Sequence, residues 1–215
     1  MLRAAIFDMD GTLLDSMHVW NTVGEDYLRT KGKVPPDGFV ERVRALGMRE
    51  TADYLRSELG VEDPPEQIIR EILQFVNEQY LHVLPLKPGV KEFLQKLHGM
   101  GVRLCVATAS DRSVAEAALA RTGVLGLFDF LMTCDEAGSG KQQPLIFERA
   151  IERLGSSKMD TVVFEDAAHA VQTAAQAGFR VAAIYDESAA AEQEQIRSFS
   201  EVYLESFIGL DPEIF

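Results

Sequence analysis

Near-continuous apolar runs alternate along this chain with stretches of helical period. Ala4–Asp8, Arg103–Thr108, Phe130–Thr133, Thr161–Glu165 and Arg180–Ile184 read as core strands, with a short sixth near Glu201–Leu204. Strands buried on both faces of a parallel sheet need such runs. Between them Val90–Met100, Ser113–Thr122, Pro144–Leu154 and Ala168–Ala177 repeat apolar positions at helical spacing. Gly155 and Gly178 stand where C-caps belong, and Ser113 with Glu116 reads as a capping box. Ala189–Arg197 reads as a solvated helix. Strand–helix alternation implies right-handed crossovers, so the expected fold class is α/β with a doubly wound parallel sheet.

The alternation is interrupted once. Residues 15–86 carry no strand pattern, only helical ones at about Val19–Thr30, Asp37–Ala45, Arg49–Leu59 and Glu66–Val83. Gly32, Gly47, Gly60 and the Pro64-Pro65 pair punctuate them. The expected organisation is a catalytic core of residues 1–14 and 87–215 with a helical insert, 15–86. An insert directly after the first strand is expected over the carboxyl end of the sheet, where open α/β folds bind ligands. That is the place for a lid.

Composition narrows the partners. The chain has 215 residues, 47% of them hydrophobic and 26% charged, as in ordinary globular proteins. Its net charge of −13 argues against nucleic acid or an anionic membrane surface as partner. Any anionic substrate must be attracted locally, by a metal and a few placed cations. Cys105 and Cys134 fall in predicted strands and read as buried, reduced thiols. With the first strand read close behind Arg3, no signal peptide is expected, and no apolar run is long enough to span a bilayer. A cytoplasmic protein is expected. A monomer is compatible with the sequence, which carries no signal of oligomeric state.

Four segments at strand ends carry the candidate chemistry. Asp8-Met9-Asp10-Gly11-Thr12 follows the first apolar run. Strand alternation would set Asp8 and Asp10 on one side, where like charges repel unless a cation such as Mg²⁺ lies between them. An ionised carboxylate can attack phosphorus, and a second can carry the proton. In Val106-Ala107-Thr108-Ala109-Ser110, the Thr108 hydroxyl and the Ala109 N–H stand ready to donate to a phosphate near a helix start. Lys141 ends Gly138-Ser139-Gly140-Lys141 and offers a compact positive charge. Glu165-Asp166 closes the fourth strand, two adjacent acids that call for a cation.

These four segments, in this order, resemble the four motifs of the haloacid dehalogenase-like hydrolase superfamily. Asp8-Met9-Asp10-Gly11-Thr12-Leu13 with Asp15-Ser16 carries most of the likeness, which covers essentially the whole chain. Within it, the chain looks like the β-phosphoglucomutase and phosphoglycolate phosphatase group, whose Rossmann-like core carries a helical cap. The resemblance implies Asp8 as a nucleophile forming an aspartyl-phosphate, and Asp10 as general acid and then base. It implies Mg²⁺ held by the Asp8 carboxylate, the Asp10 main-chain carbonyl and Asp166, with Glu165 close by. Thr108, Ala109 and Lys141 would hold the phosphoryl group. Phosphoryl transfer needs in-line positioning and neutralised equatorial oxygens, which these groups suit. An acid at position 10 fits a phosphatase or a mutase rather than a dehalogenase.

The chain departs from the family pattern at several places. The third motif reads Lys141-Gln142-Gln143-Pro144-Leu145 where Lys-Pro-x-Pro-Asp is usual, and Ala167 and Ala170 replace a Ser and a Gly of the fourth. None of these changes removes a charged group. In the insert, Arg49 and His18 are the candidate substrate contacts, Arg49 because the same group carries a cap arginine in a similar Gly-x-x-Arg context. Three readings follow. One is a Mg²⁺-dependent phosphatase of a small phosphorylated metabolite. The others are a β-phosphoglucomutase-type mutase and a non-catalytic phosphate-binding protein of the same fold.

Overall fold

The computed structural model describes residues 2–44 and 46–215. Its strands are β1 (Ala4–Phe7), β2 (Arg103–Thr108), β3 (Phe130–Thr133), β4 (Thr161–Glu165), β5 (Arg180–Ile184) and β6 (Val202–Leu204). They form one parallel sheet in the order β3-β2-β1-β4-β5-β6. β2, β3, β4 and β5 coincide with the apolar runs, and β1 and β6 are each one residue shorter. The α/β class and the doubly wound sheet expected from the alternation are what the chain forms.

The helices are α1 (Met17–Thr30), α2 (Phe39–Arg44), α3 (Met48–Ser57), α4 (Pro65–His82), α5 (Val90–Gly99), α6 (Arg112–Arg121), α7 (Cys134–Ala137), α8 (Leu145–Leu154), α9 (Ala168–Gln176) and α10 (Gln193–Phe199). The helix read over Asp37–Ala45 ends on a residue outside those described. On one face of the sheet, Ile6, Cys105, Val163 and Ala183 pack with Phe147 and Ala150 of α8 and with Val171 and Ala174 of α9. On the other, Phe7 stacks on Phe164 with ring centroids 4.3 Å apart. Phe93 of α5 meets both rings edge-on, and Phe207 and Phe215 of the C-terminal segment pack against Phe93 and Phe164. Deleting any of the buried rings Phe7, Phe93, Phe164 and Phe207 should cost several kcal/mol, about 3–5 for Phe→Ala.

Three local expectations are corrected. The capping box at Ser113 and Glu116 does not form; α6 starts one residue earlier, after Asp111, and Glu116 pairs instead with Arg112 at 2.7 Å. A capping box does form at Thr133 and Glu136, where each side chain meets the other residue's backbone N–H. Cys134 therefore opens α7 rather than extending β3. Both thiols are buried, and burial pushes both above the ordinary thiol range. The solvated helix read over Ala189–Arg197 is split into a 3₁₀ segment, Glu187–Glu192, followed by α10.

The chain divides into two compact units, residues 1–16 with 84–215, and residues 17–83. The second is a set of helices with Val19, Val23, Leu28, Phe39, Ala52, Leu55, Ile68, Ile72 and Val76 buried. In the first unit, the chain segments flanking the insert are tied to one another. Asp15 N–H donates to the Pro85 carbonyl at 3.0 Å and Lys87 N–H to that of Leu13 at 2.8 Å, around a bridge between Leu14 and Leu86. Lys87 also reaches the end of β5, where its ammonium meets Asp186 at 2.8 Å and the Tyr185 carbonyl at 2.7 Å. Among the described residues, no helix is long and apolar enough to cross a membrane.

Candidate active site

In this strand order the chain turns from one half of the sheet to the other between β1 and β4. The crevice outside the carboxyl ends of strands at such a point is the usual ligand site. The acids of the first and fourth segments lie on these two strand ends. Asp8 N–H donates to the Phe164 carbonyl at 2.9 Å, continuing the β1–β4 pairing one residue beyond β1. The Asp8, Glu165 and Asp166 side chains are all buried, and one oxygen of each lies within 4.8 Å of the others.

Gly11 makes this approach possible. Its φ is +78°, a left-handed conformation that glycine adopts freely. The space a Cβ would fill there is taken by the Asp166 carboxylate. Thr12 adds a donor, its hydroxyl bonding Asp166 Oδ1 at 3.0 Å.

Among the described residues, Lys141 is the one cation paired inside this acid cluster. Only 6% exposed, it donates from Nζ to Asp8 Oδ1 and, at 2.6 Å, to Glu165 Oε1. Glu165 Oε2 accepts the N–H groups of Asp166 at 2.9 Å and Ala167 at 3.1 Å. Glu165 thus spends one oxygen on the lysine and the other on the turn that carries Asp166. Its backbone partners are supplied by position, so the Ser-to-Ala change at 167 leaves them intact.

The charges do not balance. Three buried carboxylates face one ammonium. Burial, with Glu165 and Asp10 nearby and opposed by Lys141, pushes the Asp8 carboxyl up to about 8. Burial and the Glu165 and Asp8 charges push Asp166 well above the usual carboxylate range. Lys141 moves upward as well, because the attraction of Asp8 and Glu165 outweighs its desolvation. The surplus of hard oxygen donors fits a small divalent cation, which would let every acid stay ionised.

Asp10 stands beside this cluster, near enough for its charge to help push Asp8 upward, though its carboxylate is not among the oxygens of Asp8, Glu165 and Asp166 that gather within 4.8 Å. Two hydroxyls hold the Asp10 carboxyl instead: Ser16 at 2.7 Å on Oδ1 and Ser110 at 2.6 Å on Oδ2. Ser110 N–H in turn donates to the Thr108 hydroxyl at 3.0 Å. Thr108 is fully buried at the end of β2, and Ala109 beyond it is exposed. Thr12, Ser16 and Ser110 are site residues that the sequence pattern alone does not assign. The signal was present, since each is a hydroxyl residue beside a catalytic candidate.

The structure brings together Asp8, Asp10, Thr108, Lys141, Glu165 and Asp166 at one edge of the first unit. Arg49 and His18 belong to the second. Arg49 is exposed in the first turn of α3 and pairs with Glu66 at 2.6 Å and Asp53 at 3.3 Å. His18 is exposed in the first turn of α1.

Known proteins are similar to this chain. The chain is 29% identical over 181 residues to a phosphorylated carbohydrates phosphatase of Thermotoga maritima, with 82% of each chain covered. It is 30% identical over 179 residues to the validoxylamine A 7′-phosphate phosphatase of Streptomyces hygroscopicus subsp. limoneus, with 83% of each covered. The crystal structure of a candidate β-phosphoglucomutase from Thermotoga maritima superposes with a TM-score of 0.84 at 25% identity, covering 95% of this chain and 94% of that one. Residues 2–178 match the haloacid dehalogenase-like hydrolase model, and the chain belongs to that family.

Proposed function

We propose that this chain is a Mg²⁺-dependent phosphatase that hydrolyses a small phosphorylated metabolite, a sugar phosphate or similar, through an aspartyl-phosphate. Its class is that of a haloacid dehalogenase-like phosphoric monoester hydrolase. The observation that carries the reading is the buried Asp8 carboxylate at the end of β1, held by Lys141 and within ligand distance of Asp166.

Asp8 attacks phosphorus through a carboxylate oxygen, and the P–O bond to the leaving group breaks. Asp10 gives its proton to the leaving oxygen and then takes one from the water that cleaves the acyl phosphate. The Ser16 and Ser110 hydroxyls keep its carboxyl in one orientation for both transfers. Lys141 neutralises a phosphoryl oxygen. The Thr108 hydroxyl, which accepts from Ser110, can donate a hydrogen bond to another, as can Ala109 N–H. Asp8, the Asp10 carbonyl and Asp166 would hold Mg²⁺ with Glu165 beside them, and the ion supplies charge neutralisation at the phosphoryl group.

Residues 17–83 act as a cap, and Arg49 and His18 contribute to substrate choice. The cluster asks only for a phosphate, so discrimination must come from elsewhere in the chain. The test is phosphate release from a panel of phosphorylated metabolites with and without Mg²⁺. Asp8→Asn should reduce turnover by more than a thousandfold while the melting curve stays cooperative. A panel without any Mg²⁺-dependent release would overturn the reading.

The likeness to a candidate β-phosphoglucomutase favours a mutase as second reading. That reaction must keep the aspartyl-phosphate from water and bind a bisphosphate. Arg49, the cap cation suited to a second phosphate, is already balanced by Glu66 and Asp53. Isomerisation of β-glucose 1-phosphate with a bisphosphate primer, outpacing phosphate release, would decide for it.

A further inference from the structure

Two loops leave neighbouring strand ends and deliver the phosphate-binding groups. Thr108 closes β2 and Thr133 closes β3, and the two are register partners in the sheet. The loop after β2 carries Thr108 and Ala109 and runs into α6 at Arg112. After β3, α7 leads to Gly138-Ser139-Gly140-Lys141. Nothing in the sheet fixes the separation of these loops beyond the last paired residues.

One side chain spans them. Arg112 Nε donates to Glu136 Oε1 at 2.6 Å and its Nη2 to Glu136 Oε2 at 2.6 Å, a two-pronged fork. Nη2 also meets the Leu131 carbonyl at 2.8 Å, and Nη1 meets Glu116 at 2.7 Å. Glu136 is equally committed: its Oε2 caps Thr133 N–H at 3.1 Å, and its carbonyl accepts from Arg149 at 3.1 Å. The guanidinium thus joins the start of α6 to the end of β3 and to α7 at once.

We infer that the Arg112–Glu136 fork is a positioning clasp, which sets the Thr108–Ala109 loop against the Lys141 loop so that both reach one phosphoryl group. Resting on the phosphatase reading, the inference deepens it. Arg112 and Glu136 are partly exposed, and exposed ion pairs contribute little to global stability. The value of this pair therefore lies in geometry. A planar fork fixes direction as well as distance, and a lysine at the same place would keep charge but not direction. Positioning errors of about 1 Å cost catalysis on the order of a hundredfold.

Arg180 and Glu201 provide the internal control. They form the same fork, at 2.9 and 2.7 Å, where β5 begins, at the opposite end of the sheet. The experiment compares Arg112→Lys and Glu136→Gln with Arg180→Lys. Inorganic phosphate binding in Mg²⁺ is measured by calorimetry, alongside kcat, KM and amide exchange over residues 138–141. Arg112→Lys should weaken phosphate binding five- to tenfold and lower kcat about tenfold, and exchange over 138–141 should rise. Arg180→Lys should leave all four unchanged. Exchanging the pair, Arg112→Glu with Glu136→Arg, should recover part of the loss. If Arg112→Lys and Arg180→Lys behave alike, or if exchange over 138–141 does not change, the clasp is refuted. Wild-type protein that binds no phosphate would count against the phosphatase reading alone, since the exchange measurement needs no ligand.

Discussion

Surface ion pairs of the helical unit and the buried ion pair of the candidate active site work to opposite effect. In the helical unit, Arg29 pairs with Glu25 and Asp26, and Arg49 with Asp53 and Glu66, all on the surface. At the carboxyl ends of the central strands, Lys141 pairs with Asp8 and Glu165, which are 9% and 1% exposed at the side chain. Water screens the first set, so each pair adds little and can be lost cheaply. The second set has given up its water, so every charge there depends on its neighbours. Burial, not the kind of residue, converts an ion pair into a reactive group.

Breaking the buried pair should have the larger effect. Lys141→Met leaves Asp8 and Glu165 facing each other without a cation, a change worth about 3–5 kcal/mol in comparable buried pairs. Urea unfolding in EDTA should record that loss, and phosphate release should fall on the order of a thousandfold. If the variant is as stable as the parent, the buried network is not held by charge.

Next comes pH. Asp8 stands near 8 in the folded metal-free protein against an ordinary 3.8, and Asp166 is shifted in the same direction. The folded state therefore binds more protons than the unfolded one across that window. The stability these groups contribute is fully present below about pH 4 and drains away as pH rises through 8. Under the proposed function Mg²⁺ would compete with those protons, so its stabilising effect should grow over the same range. Thermal melts in EDTA and in Mg²⁺ between pH 5 and 8.5 should diverge upward in pH; parallel curves would contradict the assignment.

The smallest effect belongs to the helical unit. Arg49→Gln removes a surface pair and should change stability by less than about 1 kcal/mol. Under the proposed function it should alter KM among substrates while leaving kcat on a small phosphate ester close to the parent value. A loss of stability comparable to that of Lys141→Met would erase the contrast between the units.

The sheet was legible in the sequence because strands buried on both faces admit almost nothing but apolar residues. Ala4–Phe7 and Thr161–Glu165 could hardly have been anything else. Lys141 was harder: lysine is ordinarily exposed, and its burial depends on two acids that lie 133 and 24 positions away. The hydroxyl clamp on Asp10 joins residues 6 and 100 positions apart, a pairing that no local pattern announces. The false capping box is instructive. Ser113 and Glu116 had the right spacing, yet Glu116 found a stronger partner in Arg112 and left the cap undone. Local rules fail where a charged side chain has a better offer from its neighbours.

The stitched stems at 13–15 and 85–87 carry a consequence for the ancestry and engineering of the chain. The backbone leaves the core and returns to it at adjoining points that are already hydrogen-bonded to each other. Whatever lies between them is topologically a loop closed at its base, and the entropy of closing such a loop grows only slowly with its length. The core can therefore exchange this segment for a shorter or longer one at little thermodynamic penalty. The Lys87–Asp186 pair is the rivet that keeps the socket in shape while its contents change.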